Sequence, residues 1–123
     1  MKGRPVVFVP TSDPKRAARW YATRLGMRYV ADEAYASVVK DDDITIRLSR
    51  VEGVEPAPFT ILGWEVADLA RALRGLKAKK VKPIRYPGMA QDKEGVWKSP
   101  SGARVVWFHD RDGNVLSLTQ LPK

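Results

Sequence analysis

Two hydrophobic rhythms alternate along this chain. Apolar residues at every second position mark strands, and apolar residues three or four apart mark helices. The first strand, Val6-Val7-Phe8-Val9, runs into Asp13. Asp13 suits a helix N-cap because its carboxylate accepts from the orphan N–H groups of the first turn; Pro14 suits the first helical position, and Gly26 the exit. Between them Ala17, Trp20, Tyr21 and Leu25 form the apolar stripe of a helix. Three strand-like stretches follow, at 27–32, 35–40 and 44–49.

The pattern then restarts. Asp68 stands 55 positions after Asp13 (68 − 13), behind an apolar strand at 59–66 and ahead of a helix with Leu69, Ala72, Leu73 and Leu76 on one face. Further strands are expected near 83–86, 104–108 and 115–120. Each half reads strand–helix–strand–strand–strand. The Gly- and Pro-bearing stretch Glu52-Gly53-Val54-Glu55-Pro56-Ala57-Pro58 reads as the connection. The expectation is a single domain, 1–123, built from module one at 4–52, a linker at 53–58 and module two at 59–121. The period is too long for a solenoid and indicates a duplicated module.

Two connections carry further information. Asp110-Arg111-Asp112-Gly113-Asn114 joins the last two strands. Glycine takes positive φ without penalty, and Asp and Asn bond back to nearby backbone, so a tight turn is expected. The stretch from Tyr86 to Pro100 reads as a long connection, a kind of segment that is usually functional or mobile. Tyr86 and Trp97 on it are placed to close over the sheet.

Composition narrows the class. A chain of 123 residues, 44% hydrophobic and 29% charged, has an ordinary globular balance and enough material for a core. No apolar run approaches a membrane span, and Met1-Lys2-Gly3-Arg4 lacks the apolar region of a signal peptide. Without cysteine there is neither a disulfide framework nor a thiolate metal site. The expected setting is cytoplasmic, with no membrane partner. The net charge of +8 raises nucleic acid, an acidic surface or an anionic ligand as partners. Much of it falls on the two helices: Lys15, Arg16, Arg19 and Arg24 on the first, Arg71, Arg74, Lys77, Lys79 and Lys80 on the second. Interleaved with apolar residues at helical spacing, these read as solvated outer faces, which disfavours nucleic acid.

Two βαβββ modules, a strand-to-Asp-to-helix entry in both, and the closing turn from Phe108 through Asp110, Asp112, Gly113 and Asn114 together resemble the vicinal-oxygen-chelate superfamily. That group includes glyoxalases, extradiol dioxygenases and bleomycin-resistance proteins. Arg111 stands where the family usually has Pro, which loosens the turn. The resemblance implies an α+β fold in which tandem modules form a cup-shaped, partly open mixed sheet with helices outside. It also implies a homodimer, often with modules from two chains completing each cup.

In metal-dependent members of the family, a His on the first strand of each module and a Glu on the last bind the metal. The corresponding positions here are Val6, Ile61 and Ser117, with Arg47 (alternatively Thr45) as the fourth. Imidazole and carboxylate donors are missing from all of them, so no metal and no cofactor are expected. His109, the single histidine, has no second ligand beside it and reads as a turn or surface residue. Asp41-Asp42-Asp43 lacks the glycine and spaced donors of a calcium loop and reads as a solvated turn. Neither a cysteine nucleophile, an assembled Ser-His-Asp set nor a glycine-rich phosphate loop is present; an Asp or Glu base stays open.

Strand alternation sorts residues to two faces. If Val6, Arg47, Ile61 and Ser117 face the cup, so do Phe8, Thr45, Ser49, Gly63, Glu65, Val105, Trp107, Val115 and Thr119. Val7, Val9, Ile44, Ile46, Leu48, Leu62, Trp64, Val106, Phe108, Leu116 and Leu118 then form the helix-side core. Apolar walls with sparse polar points are the usual make-up of a small-molecule pocket. The candidate ligand-binding residues are Phe8, Arg47, Glu65, Trp107 and Ser117, with Tyr86 and Trp97 from the loop. Arg47 either pairs with Glu65 or meets a ligand carboxylate or phosphate in fork geometry. Trp107 packs on a ligand or on a dimer partner.

The resulting expectation is a metal-independent small-molecule-binding protein resembling bleomycin-resistance-type proteins, which sequesters a neutral or anionic ligand. Bleomycin itself is cationic and would be repelled at long range by this chain. One alternative is a glyoxalase- or dioxygenase-like lyase, isomerase or oxygenase with a non-standard site, for instance an acid–base pair built on Glu65. Another is a nucleic-acid-associated basic protein with strongly salt-dependent binding. A dimer with no ligand is the last.

Overall fold

The computed structural model describes residues 1–123. The chain divides into two compact units, Met1–Glu55 and Pro56–Lys123. Each holds one four-stranded mixed sheet and one helix, so the fold is α+β with tandem βαβββ modules. No helix is long and apolar enough to cross a membrane.

The first unit runs β1 (Val6–Thr11), α1 (Pro14–Leu25), β2 (Arg28–Asp32), β3 (Ala36–Lys40) and β4 (Thr45–Arg50). Its sheet order is β1-β4-β3-β2, with β1 parallel to β4 and the remaining pairs antiparallel. Asp13 caps α1 as expected, accepting from the Arg16 N–H at 3.2 Å, and Gly26 ends the helix in the left-handed region at φ 71°. The buried stripe is Pro14, Ala17, Ala18 and Tyr21, which corrects the expected one. Ala18 lies inside, while Trp20 is half-buried and meets Tyr21 edge-on at 5.2 Å. Two adjacent alanines admit the sheet to the helix surface, and the bulky indole is displaced to the margin. Val9, Val39, Ile46 and Leu48 are buried beneath the helix.

The second unit runs β5 (Thr60–Glu65), α2 (Leu69–Ala78), β6 (Trp97–Lys98), β7 (Arg104–His109) and β8 (Val115–Gln120). Its order, β5-β8-β7-β6, repeats that of the first unit, again with one parallel pair, β5 with β8. Asp68 caps α2 through the Arg71 N–H at 3.1 Å, and the Gln120 side chain accepts from the Leu69 N–H at 2.8 Å.

The expected strand at 83–86 is the main correction. Pro83 makes only an isolated bridge to Phe108, and the Ile84 N–H donates to the Trp107 carbonyl at 2.7 Å. Proline cannot donate to a ladder, so pairing stops almost as it starts. The chain leaves the sheet at 85 and returns as β6, where Trp97 pairs with Val105 and Lys98 with Arg104. One strand position is thus split by residues 85–96. Gln91 pins the excursion: its Nε2 donates to the carbonyls of Ile84 and Gly95, and its Oε1 accepts from the Tyr86 N–H. The Asp92 carboxylate accepts from the N–H groups of Glu94 and Val96.

Trp64 also departs from expectation. It pairs with Leu118 on the helix side of the sheet but is only half-buried. β5 is an edge strand, so its side chains are covered from one flank alone.

Candidate ligand-binding site

In the first unit the β1–β4 register places Val6 beside Thr45, Phe8 beside Arg47 and Pro10 beside Ser49. These face away from the buried row of Val9, Ile46 and Leu48, as alternation requires. Phe8 is 65% exposed. The Arg47 guanidinium carbon lies 6.0 Å from the Phe8 ring centroid, within range of a cation–π contact.

The carboxylate that holds Arg47 within its own unit is Glu33, a partner the sequence reading did not offer. Nη2 of Arg47 donates to Oε1 of Glu33 at 2.5 Å. Glu33 sits just past β2, where its own N–H donates to the Ala36 carbonyl. The β2–β3 hairpin swings it across to β4, fourteen positions away in sequence. No local pattern signals such a pair. The Arg47 hydrogen bond, and then its charge, hold the Glu33 carboxyl below its ordinary pKa; the same hydrogen bond raises that of Arg47. Next to it, the hydrogen bonds from Ser37 and then Tyr29 lower the pKa of Asp32.

A pH dependence follows from these shifts. Both carboxyls have folded-state values below their unfolded ones, so their contribution is complete above the unfolded value and is lost as pH falls through the folded one. Carbon-detected NMR titration is expected to place both midpoints below the ordinary values of about 3.9 for Asp and about 4.3 for Glu. Arg47→Ala is expected to return Glu33, and not Asp32, to its ordinary value. An unshifted Glu33 in the intact protein would disprove the pairing.

In the second unit, Gly63 pairs with Ser117 and Ser117 with Trp107, while Glu65 pairs with Thr119 and Thr119 with Val105. Trp97, opposite Val105, is a diagonal neighbour of Trp107. The rings of Trp97 and Trp107 lie 6.1 Å apart, and Tyr86 meets Trp107 edge-on at 5.5 Å. Tyr86, Trp97 and Trp107 therefore form one aromatic group, on the sheet face away from the buried Val106 and Phe108. The split strand brings them together: Tyr86 stands where the chain leaves the sheet and Trp97 where it returns. Ser117 is buried beside Gly63, where a Cβ would lie 2.5 Å from its hydroxyl. Glu65 is exposed on the edge strand.

The residues that the resemblance aligns with the family's metal positions do not fit a divalent ion. Val6 and Ile61 have no lone pair to offer, Arg47 brings a positive charge held by Glu33, and Ser117 is a single hydroxyl packed on Gly63. His109 is exposed, its Nδ1 3.1 Å from the Gly113 carbonyl. Asp41 folds back on the N–H groups of Asp43 and Ile44 as a turn.

Sequence reasoning missed two residues that organise these surfaces, Glu33 and Gln91, neither of which has a local signal. Asp110 was legible from the Asp-x-Asp-Gly-Asn turn. Its carboxylate is buried and accepts from the N–H groups of Asp112 and Asn114 and from the Asn114 side-chain amide.

No curated protein sequence matches the chain. Among solved structures it is similar to a bleomycin resistance determinant encoded on transposon Tn5, with TM-score 0.75 and 20% identity over 99% of this chain and 100% of that one. It is also similar to TnmS3, an antibiotic binding protein from Streptomyces sp. CB03234, with TM-score 0.72 and 21% identity over 99% and 98%. Lactoylglutathione lyase from Agrobacterium tumefaciens aligns at TM-score 0.72 and 13% identity over 98% and 94%. These likenesses bear on the fold. The family model for the Glyoxalase/Bleomycin resistance protein/Dioxygenase superfamily matches residues 4–118, and the chain belongs to that superfamily.

Proposed function

We propose that this protein is a cytoplasmic, metal-independent binder of a neutral or anionic planar small molecule, acting by sequestration in the manner of antibiotic-binding members of its superfamily. The observation that carries the reading is the group of Tyr86, Trp97 and Trp107 on one sheet face. Three rings at mixed inclinations offer both stacking and edge contacts to a flat ligand. Sequestration needs no catalytic group, and it lowers free ligand by mass action. The antibiotic-binding and bleomycin-resistance neighbours support the reading over the lyase neighbour, because the metal positions carry no suitable donors. A homodimer belongs to the same proposal: Val6 and Phe8 present apolar surface on edge strand β1.

The test uses naphthoate as a planar anionic probe, followed by quenching of tryptophan fluorescence. Saturable quenching that survives chelator treatment is expected. Trp107→Ala is expected to weaken binding at least about tenfold, a loss of about 1.4 kcal/mol. Unchanged affinity in Trp107→Ala, or quenching abolished by chelator, would overturn the proposal. Sedimentation velocity reads the dimer directly.

A further inference from the structure

We infer that the second unit carries another binding site, for an amphipathic carboxylate, on the side of its sheet that faces α2. The two helices cover their sheets unequally. α1 lays Ala17, Ala18 and Tyr21 against its sheet, all at most 1% exposed. α2 buries only Leu69 and Leu76, leaving Ala72 and Leu73 of the same stripe half-buried. A cleft of about 740 Å³ opens between α2, residues 80–83, residues 92–96 and β7. That volume falls in the range of small-molecule sites. Its apolar lining includes Leu73, Leu76, Val81, Pro83, Val96 and Val106.

The border of the cleft is cationic. Arg74, Lys77, Lys80, Lys82, Lys93 and Arg104 stand around it, against two acids, Asp92 and Glu94. The carboxylate of Asp92 is already engaged by two backbone N–H groups. None of the six cations is in an ion pair such as Arg16–Asp13, Arg47–Glu33 or Arg111–Asp112. Part of the positive charge that reads in sequence as a solvated helix face thus borders an apolar cavity. Lys80 adds a second observation. It holds φ 63°, the left-handed conformation that glycine usually supplies after a helix, and the Val81 N–H closes back on the Leu76 carbonyl at 2.9 Å. This turn sets Lys80 and Lys82 at the mouth despite the strain of a side chain in that region.

An apolar interior with a mouth of net positive charge selects a molecule with an apolar body and one anionic head. A neutral apolar compound leaves the cations unmet, and a polyanion leaves the lining wet. The occupant is therefore a monocarboxylate with an extended apolar body, held head-outward by Lys77, Lys80 and their neighbours.

The experiment is calorimetric titration of decanoate into the full chain, with amide shift mapping and decanol as the uncharged control. One decanoate per chain is expected, with shift changes at Leu73, Val81 and Val96. Filling the cleft by Leu73→Trp and reversing its border by Lys77→Glu/Lys80→Glu are each expected to weaken decanoate at least about tenfold. The same charge reversal on α1, Lys15→Glu/Arg19→Glu, is expected to leave its affinity within about twofold. Lack of saturation, equal binding of decanol, or shift changes confined to the Tyr86, Trp97 and Trp107 face would overturn the inference. Displacement of decanoate by a short DNA duplex with unchanged affinity in Leu73→Trp would overturn it too, and assign the border to phosphate binding.

Discussion

Replacing Asp110 by alanine is expected to cost roughly 3 kcal/mol of stability and to lower Tm by about 12 °C. Asp110 is 6% exposed, and its carboxylate accepts hydrogen bonds from the Asp112 N–H at 2.9 Å, the Asn114 N–H at 3.0 Å and the Asn114 amide nitrogen at 3.0 Å. Alanine removes the acceptor from all three while Asn114 stays buried, and a buried donor deprived of its partner costs about 1–3 kcal/mol. The backbone bonds of the turn, Asp110 N–H to the Asn114 carbonyl and Gly113 N–H to the Asp110 carbonyl, then lose the side-chain lock around them. Asp110→Asn separates this account from a general intolerance of the site. It keeps the oxygen that receives both backbone N–H groups and opposes the Asn114 amide, so roughly 1 kcal/mol is expected. Thermal and denaturant melts of the two variants supply the comparison. Equal losses would show that the three acceptor contacts do not govern the turn.

Gly95→Ala is expected to be nearly as damaging, at about 3 kcal/mol, through strain and overlap together. Gly95 has φ +87°, and a Cβ there would lie 2.7 Å from Cβ and 2.9 Å from Cγ of Pro83. The pyrrolidine ring is rigid and is tied into the sheet by the bridge to Phe108, so it cannot step aside. Gly88, on the same excursion, makes a clean control: its φ is +78°, and nothing lies within 4 Å of its Cβ position. Gly88→Ala carries the conformational strain alone, about 1 kcal/mol. The difference between the two variants measures the contact between the two ends of the split strand. Because that contact also places Tyr86 and Trp97 around Trp107, Gly95→Ala is expected to weaken naphthoate as well. A Gly95→Ala melt matching that of Gly88→Ala would show that the ends of the strand are not pressed together.

Much of the fold was legible from local chemistry. Asp13 and Asp68 were readable as caps because a capping carboxylate acts within three residues of itself. The β8 strand spans 115–120 as its alternation indicates, and the faces of β1, β4, β7 and β8 follow from the same period of two. The aromatic group was legible only in part. Trp107 declared its face by alternation. Trp97 declared none, because a two-residue strand is too short to show a period, and Pro83 to Tyr86 imitates a strand that Pro83 interrupts. Trp20 and Ala18 were misassigned for a related reason. Hydrophobicity at helical spacing says which arc of a helix is apolar, but the shape of the opposing sheet decides whether an indole or a methyl group fits there.

The sequence by itself determined the duplicated strand–helix–strand–strand–strand order, both helix entries and the closing turn. Each depends on a residue's own chemistry or on neighbours a few positions away. The tertiary structure alone decided that Glu33 holds Arg47, that one strand is split by residues 85–96, and that the cations of α2 border an apolar cleft. These depend on which distant segments pack side by side, and on how closely, which no local periodicity encodes.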